Sequence, residues 1–487
     1  MTKYEFKTQP YAHQRKALTH RNAWHATAFA WFMDMGTGKT KVTLDNVGIL
    51  CHEKSIDGLL IVAPKTVCSN WAEKEIPKHL PTPYFHMTWK APSTQTRAWK
   101  HGWQVLLSVQ KLAILVINVE ALSTKKGKEA VEEFLHARRA MMVVDESTRI
   151  KNHRSARGKN CIALGKLATH KRILSGFPVT RDPLDLWGQC QFLEHGILGD
   201  TSYWSFRARW AILHRRRLAS GLMFDEITGY RNLEDLARIV DTFSYRVTKE
   251  ECLDLPPKVY QTREVELTQE QRKAYKELRD ELMTVVGEQE IDAASVLEKL
   301  IRMQQVINGW LPLAPMSKNQ LGYMPIPSNR LAALMEVLEE TDGAVVWCKF
   351  VCDVDLITLA VKKKYGKDSV CELHGGISTE RRARWINEFQ DPKHERRFVV
   401  GTPNTGGVGI DLTAASTCVY FSNSWDLEHR VQSEDRLHRI GQTRSVTYVD
   451  LVAPGTLDET ILEALQGKRD LAREVIRMSP GELMELT

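Results

Sequence analysis

The stretch that most constrains this chain is MDMGTGKT, Met33–Thr40. It follows the apolar run Ala28–Phe32 and precedes VTLDNVGIL, which has helical character. A strand, a glycine loop and a helix start in that order make a phosphate cradle. Gly36 and Gly38, on either side of Thr37, let backbone N–H groups turn inward without a Cβ clash. The helix N-terminus adds its partial positive charge. Lys39 is then placed for the β- and γ-phosphates, and Thr40 offers a hydroxyl to magnesium. The strict loop pattern asks for glycine five residues before Gly38, and Met33 stands there.

A length of 487 residues exceeds a single core, so two or more domains are expected. Hydrophobic content of 43% with 26% charged residues is ordinary for a globular chain. No run of about 18 apolar residues occurs, so no membrane partner is expected. The opening MTKYEFKTQP lacks the apolar core of a signal peptide, which sets the expectation of a cytoplasmic protein. The nine cysteines include no C-x-x-C pair, and the spacing of Cys348, Cys352 and Cys371 suits no common zinc site; free thiols are expected. The net charge of +7 is compatible with a nucleic-acid partner but is shared by many enzymes. Basic runs at Lys125–Lys128, His214–Arg217 and Lys362–Lys364 read by themselves as solvated helix ends.

In chain order, Gln9–Leu18 reads as a turn into an amphipathic helix. Gln14 lies upstream of the phosphate loop, and its amide has the donor and acceptor needed to read an adenine edge, though by itself it fits an ordinary helix surface. Leu59–Ala63 is a buried parallel strand broken by Pro64-Lys65-Thr66, with Ser69 placed to cap a helix starting at Asn70-Trp71. WQVLLSVQ reads as a further short strand and AILVINVEAL as another, breaking at Asn118. MMVVDESTRIKN is the second chemical landmark. Its strand ends in Asp145-Glu146, a carboxylate pair suited to holding a metal–nucleotide complex and polarising water. RILSGFPVTRDPLDLW repeats the strand-then-turn pattern at Ser175-Gly176. These alternating strands and helices predict a doubly wound parallel sheet. From about Asp182 to Asn329 strands stop and charged helices dominate, with LDLPPKVYQTREVEL extended across Pro256-Pro257. A second α/β pattern follows, with strands at AVVWCKF, CELHGG, RFVVGT, CVYFSNSW and SVTYVDLV. PNTGGVGIDLTAAS forms a glycine-rich loop between them. In VQSEDRLHRIGQ, Arg436 and Arg439 fall at i and i+3, on one helical face.

Taken together these segments resemble the Swi/Snf-type ATPases of helicase superfamily two, in order and over nearly the whole chain. DMGTGKT is similar to the family's first nucleotide motif, with Gln14 at its adenine-reading glutamine. DESTRIKN resembles the acidic motif, SGFPVTRDPLDLW the third, and LPPK the inter-lobe region. NTGGVGIDLTAAS and QSEDRLHRIGQ resemble the fifth and sixth motifs, the last through Gln432, Arg436, Arg439, Gly441 and Gln442.

The resemblance implies an α/β fold of two RecA-like lobes with helical insertions between them. Lobe one would span 1–252 with a helical protrusion at about 182–245. Residues 253–330 would hold the inter-lobe crossing and a second protrusion, and 331–487 lobe two. ATP and magnesium would be held by Gln14, Gly36, Thr37, Gly38, Lys39, Thr40, Asp145 and Glu146 of the first lobe and by Gly409, Asp411, Gln432, Arg436 and Arg439 of the second. Double-stranded DNA would be the partner, contacted by analogy at Lys65, Thr66, His374, Gly375, Arg381 and Thr402. The implied activity is a DNA-stimulated ATP hydrolase that translocates along duplex without conventional strand separation, working as a monomer. The alternatives are a branched-DNA remodeler and an ATP-gated DNA clamp or protein-displacing factor. The sequence departs from the family pattern at Thr148, where histidine is usual, at Phe177, where threonine is usual, and at Thr180-Arg181, where Gln-Asn is usual. These positions bear on coupling to DNA, and the catalytic groups are intact. The expectation is a motor without a histone-reading, spacing or zinc module, and the short helical middle resembles compact members from bacteria and their viruses.

Overall fold

Apolar runs without polar alternation become strands buried on both faces, and here they assemble into two parallel sheets. The computed structural model describes residues 4–90, 94, 96–217, 223–287, 293–312, 323–403 and 410–477. The strands of the first half are β1 (Ala28–Met33), β2 (Gly58–Ala63), β3 (Tyr84–Thr88), β4 (Leu112–Asn118), β5 (Ala140–Asp145) and β6 (His170–Leu174). A hairpin of β7 (Ala211–Arg217) and β8 (Met223–Tyr230) follows, and then β9 (Ser244–Val247). The first sheet has the order β3-β4-β2-β5-β6-β1-β9, every pairing parallel. Alternate residues serve opposite faces. Ala30, Phe32, Leu60 and Val62 enter one core, while Phe29, Trp31, Leu59 and Ile61 enter the other.

The second half contributes β10 (Lys258–Glu264), a short pair β11 (Trp310–Pro312) and β12 (Tyr323–Pro325), then β13 (Ala344–Trp347), β14 (Val370–Leu373), β15 (Phe398–Gly401), β16 (Thr417–Tyr420) and β17 (Val446–Val452). Its sheet runs β10-β17-β16-β13-β15-β14, again all parallel. Val346 and Val400 face one core, Val345 and Val399 the other. Two helix-flanked parallel sheets are the expected RecA-like lobes. The chain divides into a first unit of Met1–Ile212, Ile227–Asp254 and the chain from Lys468, and a second of Leu213–Glu226 and Leu255–Gly467. Among the described residues no helix is long and apolar enough to cross a membrane.

Four local expectations are corrected. WQVLLSVQ lies mostly in the helix Arg97–Ser108, capped by Thr96. Trp103 and Leu106 are its buried residues, three positions apart, so a helical spacing was hidden in a short apolar run. The helix after β2 starts at Lys65 rather than at Asn70, so Ser69 lies inside it and caps nothing. The stretch from Asp182 to Asn329 is not free of strands. It holds the β7–β8 hairpin, the edge strand β9, the short β11–β12 pair, and β10, which pairs with β17 from Lys258–Val446 to Glu264–Val452. Strand β10 is mostly exposed, which is why its sequence lacks the apolar run that marks a central strand. The helical face expected to carry Arg436 and Arg439 is also absent, because that helix, Leu427–Glu434, ends before both.

Candidate active site

Because the first sheet is parallel, the carboxyl ends of its strands share one edge, where open α/β sheets place ligands. Strand β1 delivers the glycine loop there. Gly36 and Gly38 have φ of +84° and +93°, which only glycine adopts without strain. A Cβ on Gly38 would also lie 2.2 Å from Gln14 Nε2. Met33, where the strict pattern has glycine, is the fully buried last residue of β1, paired with Val247. Its backbone has negative φ, so this loop needs no glycine at that point. Lys39 opens the helix Lys39–His52, is 9% exposed, and donates from Nζ to the carbonyls of Met33 at 2.7 Å and Asp34 at 3.3 Å. Thr37 Oγ1 donates to Asp34 O at 2.8 Å, and Thr40 is half-buried in the first helical turn. Gln14 is buried against the loop, donating to Thr37 O at 3.1 Å while its Oε1 accepts from Tyr11 N at 3.0 Å. His13 Nε2 meets the same Thr37 carbonyl at 2.7 Å.

Strand β5 ends in Asp145, 8% exposed. Burial pushes its carboxyl upward, and the Trp71 indole, the Lys39 ammonium and the Glu146 amide oppose that shift. Trp71 Nε1 donates to Oδ2 at 2.7 Å and Glu146 N to Oδ1 at 3.0 Å. Asp145 and the phosphate-loop lysine are therefore close enough to feel each other's charge. Glu146 itself is half-buried with φ of +49°, a left-handed backbone uncommon for a non-glycine residue and concentrated at functional sites. Gly176, at the turn after β6, completes the group. A Cβ there would lie 3.0 Å from Met35 Cγ and 3.4 Å from Lys39 Nζ, so the SGFP turn packs directly on the phosphate loop. Thr40 and Asp145 offer hard oxygen donors of the kind magnesium takes, so the residues fit that ion.

The second unit gathers its own set. Arg436 is buried, and its carbonyl accepts from Leu412 N at 3.0 Å. Arg439 reaches Ile410 O at 3.4 Å and the Asp411 carboxylate at 3.9 Å. Both arginines lie in the turns after Leu427–Glu434, held by backbone and loop contacts rather than by helical spacing. Asp411 also accepts from Thr413 N and Oγ1, and Gln442 Nε2 ties Thr413, Ala415 and Leu437 together. Gln432 is buried and donates to Glu428 at 3.1 Å. Gly409 lies outside the described residues.

The residues suggested for nucleic acid fall into two groups. Lys65 and Thr66 are exposed at the carboxyl end of β2. His374 and Gly375 follow β14 and Thr402 follows β15; Thr402 N donates to Leu373 O at 2.9 Å, so these two strand ends are neighbours. Arg381 is exposed on Thr379–Gln390, its guanidinium 4.3 Å from the Trp385 ring centre. His374 also stands beside Asp355 and Glu372, ligand atoms all within 4.8 Å, so its surroundings are not purely basic.

Sequence reasoning missed the groups that orient these residues. Trp71 is one, since nothing in WAEKE signals a partner 74 positions later. A second is the polar web behind the acidic motif. Ser147 Oγ donates to Gln189 at 2.6 Å, and Lys151 meets Asp185 at 3.2 Å and also Thr180. Asp185 accepts from Thr180 N, Thr180 Oγ1 and Arg181 N. The unusual Thr180-Arg181 pair thus uses its backbone and hydroxyl to join the second and third motifs.

Residues 19–310 match the SNF2-related domain, and residues 329–441 match the helicase conserved C-terminal domain. The TATA-binding protein-associated factor mot1 of Aspergillus fumigatus is 28% identical over 70% of this chain and 20% of its own length. The ISWI chromatin-remodeling complex ATPase ISW2 of Saccharomyces cerevisiae is 25% identical over 92% of this chain and 39% of its own. The putative ATP-dependent helicase/translocase YwqA of Bacillus subtilis is 25% identical over 93% of this chain and 48% of its own. The chain thus spans from a fifth to about half of these curated relatives. Among solved structures, the Sulfolobus solfataricus SWI2/SNF2 ATPase core in complex with dsDNA covers all of this chain and 97% of its own, at 24% identity and a TM-score of 0.44.

Proposed function

The chain belongs to the SNF2-related family, and from that premise we propose that it is a DNA-stimulated ATP hydrolase that moves along double-stranded DNA without separating the strands. The observation that carries the reading is the convergence at one sheet edge of Lys39, Asp145 and the Gly176 turn. Lys39 would exchange its carbonyl partners for phosphate oxygens. Gln14, now engaged with Thr37, would read the adenine edge. Glu146 would orient the attacking water, held in place by its constrained backbone. Magnesium, held by Thr40 and Asp145, would neutralise phosphate charge when bound. By the family resemblance, Arg436 and Arg439 would add positive charge for the γ-phosphate, and Gly409, Asp411 and Gln432 would bind the nucleotide. Lys65, Thr66, His374, Gly375, Arg381 and Thr402 would contact the phosphate backbone, giving sequence-tolerant, salt-sensitive binding.

We take residues 1–252 as the first lobe, 253–330 as the crossing segment and 331–487 as the second, in a monomer. A motor on DNA works where DNA is, so the proposal carries an intracellular setting. The test is steady-state ATP hydrolysis with no nucleic acid, linear duplex, forked duplex, single strand and RNA. Linear duplex should stimulate strongly, and Lys39→Ala should lower turnover by about a hundredfold or more. Normal hydrolysis by that variant would sink the site assignment.

A branched-DNA remodeler is the second reading, favoured by the β7–β8 hairpin. Its strands expose Met223 and Phe224, at 46% and 40%, and Arg215 and Arg217, apolar and basic side chains of the kind a wedge uses. Stimulation by forks alone would promote it.

A further inference from the structure

The helix Tyr203–Trp210, capped by Ser202, buries Phe206 and Trp210. Two residues before Phe206 is about 200° around a helix, so Trp204 points away from that core and is 59% exposed. It is not an isolated surface tryptophan. The Arg154 guanidinium carbon lies 5.0 Å from its ring centre and 5.9 Å from that of Tyr203, and Arg207 lies 5.7 Å from Trp204 on the same helix. Tyr203 is 5.6 Å from Trp204, and the His153 ring lies 4.5 Å from Tyr203. Behind the half-buried Tyr203 stands Trp187, 6.3 Å away and itself packed on Phe206 at 5.2 Å, so the cluster rests on the buried core. Arg154 is exposed and has no carboxylate partner among the described residues. Burial and the neighbouring Arg154 and Lys159 charges hold His153 below its ordinary pKa, so at neutral pH it presents a ring rather than a charge.

We propose that the surface formed by Trp204, Tyr203, His153, Arg154 and Arg207 binds single-stranded DNA, an unpaired base stacking on the aromatic rings and its phosphates meeting the arginines. The chemistry selects this occupant. Duplex phosphates would use the arginines but leave the indole without a partner, because bases inside a duplex are already stacked. An acidic protein segment would likewise leave the aromatic face unused. A base with its phosphates engages both. The proposal rests on the DNA reading above and adds to it a contact for single-stranded DNA, separate from the duplex contacts.

The experiment compares the full chain with Trp204→Ala and Trp204→Phe by fluorescence anisotropy, using labelled oligo-dT and a blunt duplex. Loss of one stacking platform weakens oligo-dT binding by about fivefold or more, while duplex binding shifts by less than about twofold and phenylalanine restores most of the loss. Arg154→Gln reduces the salt dependence of oligo-dT binding by about one unit of log–log slope. Trp204 lies outside the nucleotide site, so basal hydrolysis should be unchanged, which reports that the variant is folded. Unchanged oligo-dT affinity in Trp204→Ala, or an equal loss for duplex, would overturn the proposal. Poly-glutamate binding that depends on Trp204 in place of oligo-dT would reassign the surface to an acidic protein segment. A wild-type chain that DNA does not stimulate would sink the motor reading while this binding measurement still stands. Stimulation by blunt duplex with oligo-dT affinity indifferent to Trp204 would sink the platform alone.

Discussion

His170 shows how one side chain sets a stability profile. It is 8% exposed at the start of β6, its Nδ1 has no hydrogen-bond partner among the described residues, and burial with the nearby Arg172 charge pushes its pKa down to about 4. An unfolded imidazole titrates near 6.5. Between those values the unfolded chain binds a proton that the folded chain refuses. Stability from this residue is therefore complete above about pH 6.5 and falls as pH drops toward 4, by up to about 1.4 kcal/mol per pH unit. Urea unfolding at several pH values should show that acid-side slope in the wild type and a shallower one in His170→Gln; equal slopes would remove His170 as the cause. At the same scale, Lys39 and Asp145 were candidates on sequence alone, because phosphate and metal chemistry ask for those groups after a strand. Trp71 was not, because its role exists only as a contact to Asp145.

Among the elements, the helix that follows β2 is the most informative. It begins at Lys65, widens into a π turn over Trp71–Glu75 and finishes at His79. Such turns insert one residue and rotate the side chains that follow, and they recur at functional sites. Here the turn carries the indole that donates to Asp145. Trp71→Phe keeps most of the buried volume and removes the donor, a bond to a charged group worth about 1.5–3 kcal/mol. DNA-stimulated turnover should fall about tenfold or more, and the melting temperature by several degrees. Full activity would mean that the indole only packs. The apolar central strands were readable from sequence, whereas β9, β10 and the β7–β8 hairpin were not. Strand β10 and the hairpin are largely solvated, so their residues lack the continuous apolar run and mimic a helix surface, whereas β9 is buried but only four residues long and carries Ser244 and Arg246.

For the whole molecule, each unit has cores of its own, so unfolding should not be a single event. Arg430 offers a handle on the second unit. It is buried, pairs with Asp450 at 2.6 and 2.9 Å and with Glu434 at 2.9 Å, donates to Asn423, and lies 3.5 Å from the Tyr420 ring centre. Arg430→Ala takes the shared cation from two buried carboxylates, leaving Asp450 to Asn423 and Glu434 to Tyr260 and Lys258, at a cost of about 3–5 kcal/mol. Calorimetry should show one transition moving down while another stays. A single transition that moves as a whole would mean that the units unfold together. The sequence by itself determined the two parallel sheets, the phosphate loop, the acidic strand end and the family, because each rests on local spacing and on burial of short apolar runs. The tertiary structure alone decided which groups orient them. Trp71 on Asp145, Gly176 on the phosphate loop, Arg439 on Asp411 and Arg154 on Trp204 are contacts between residues tens of positions apart, and no local pattern encodes a distance that only folding creates.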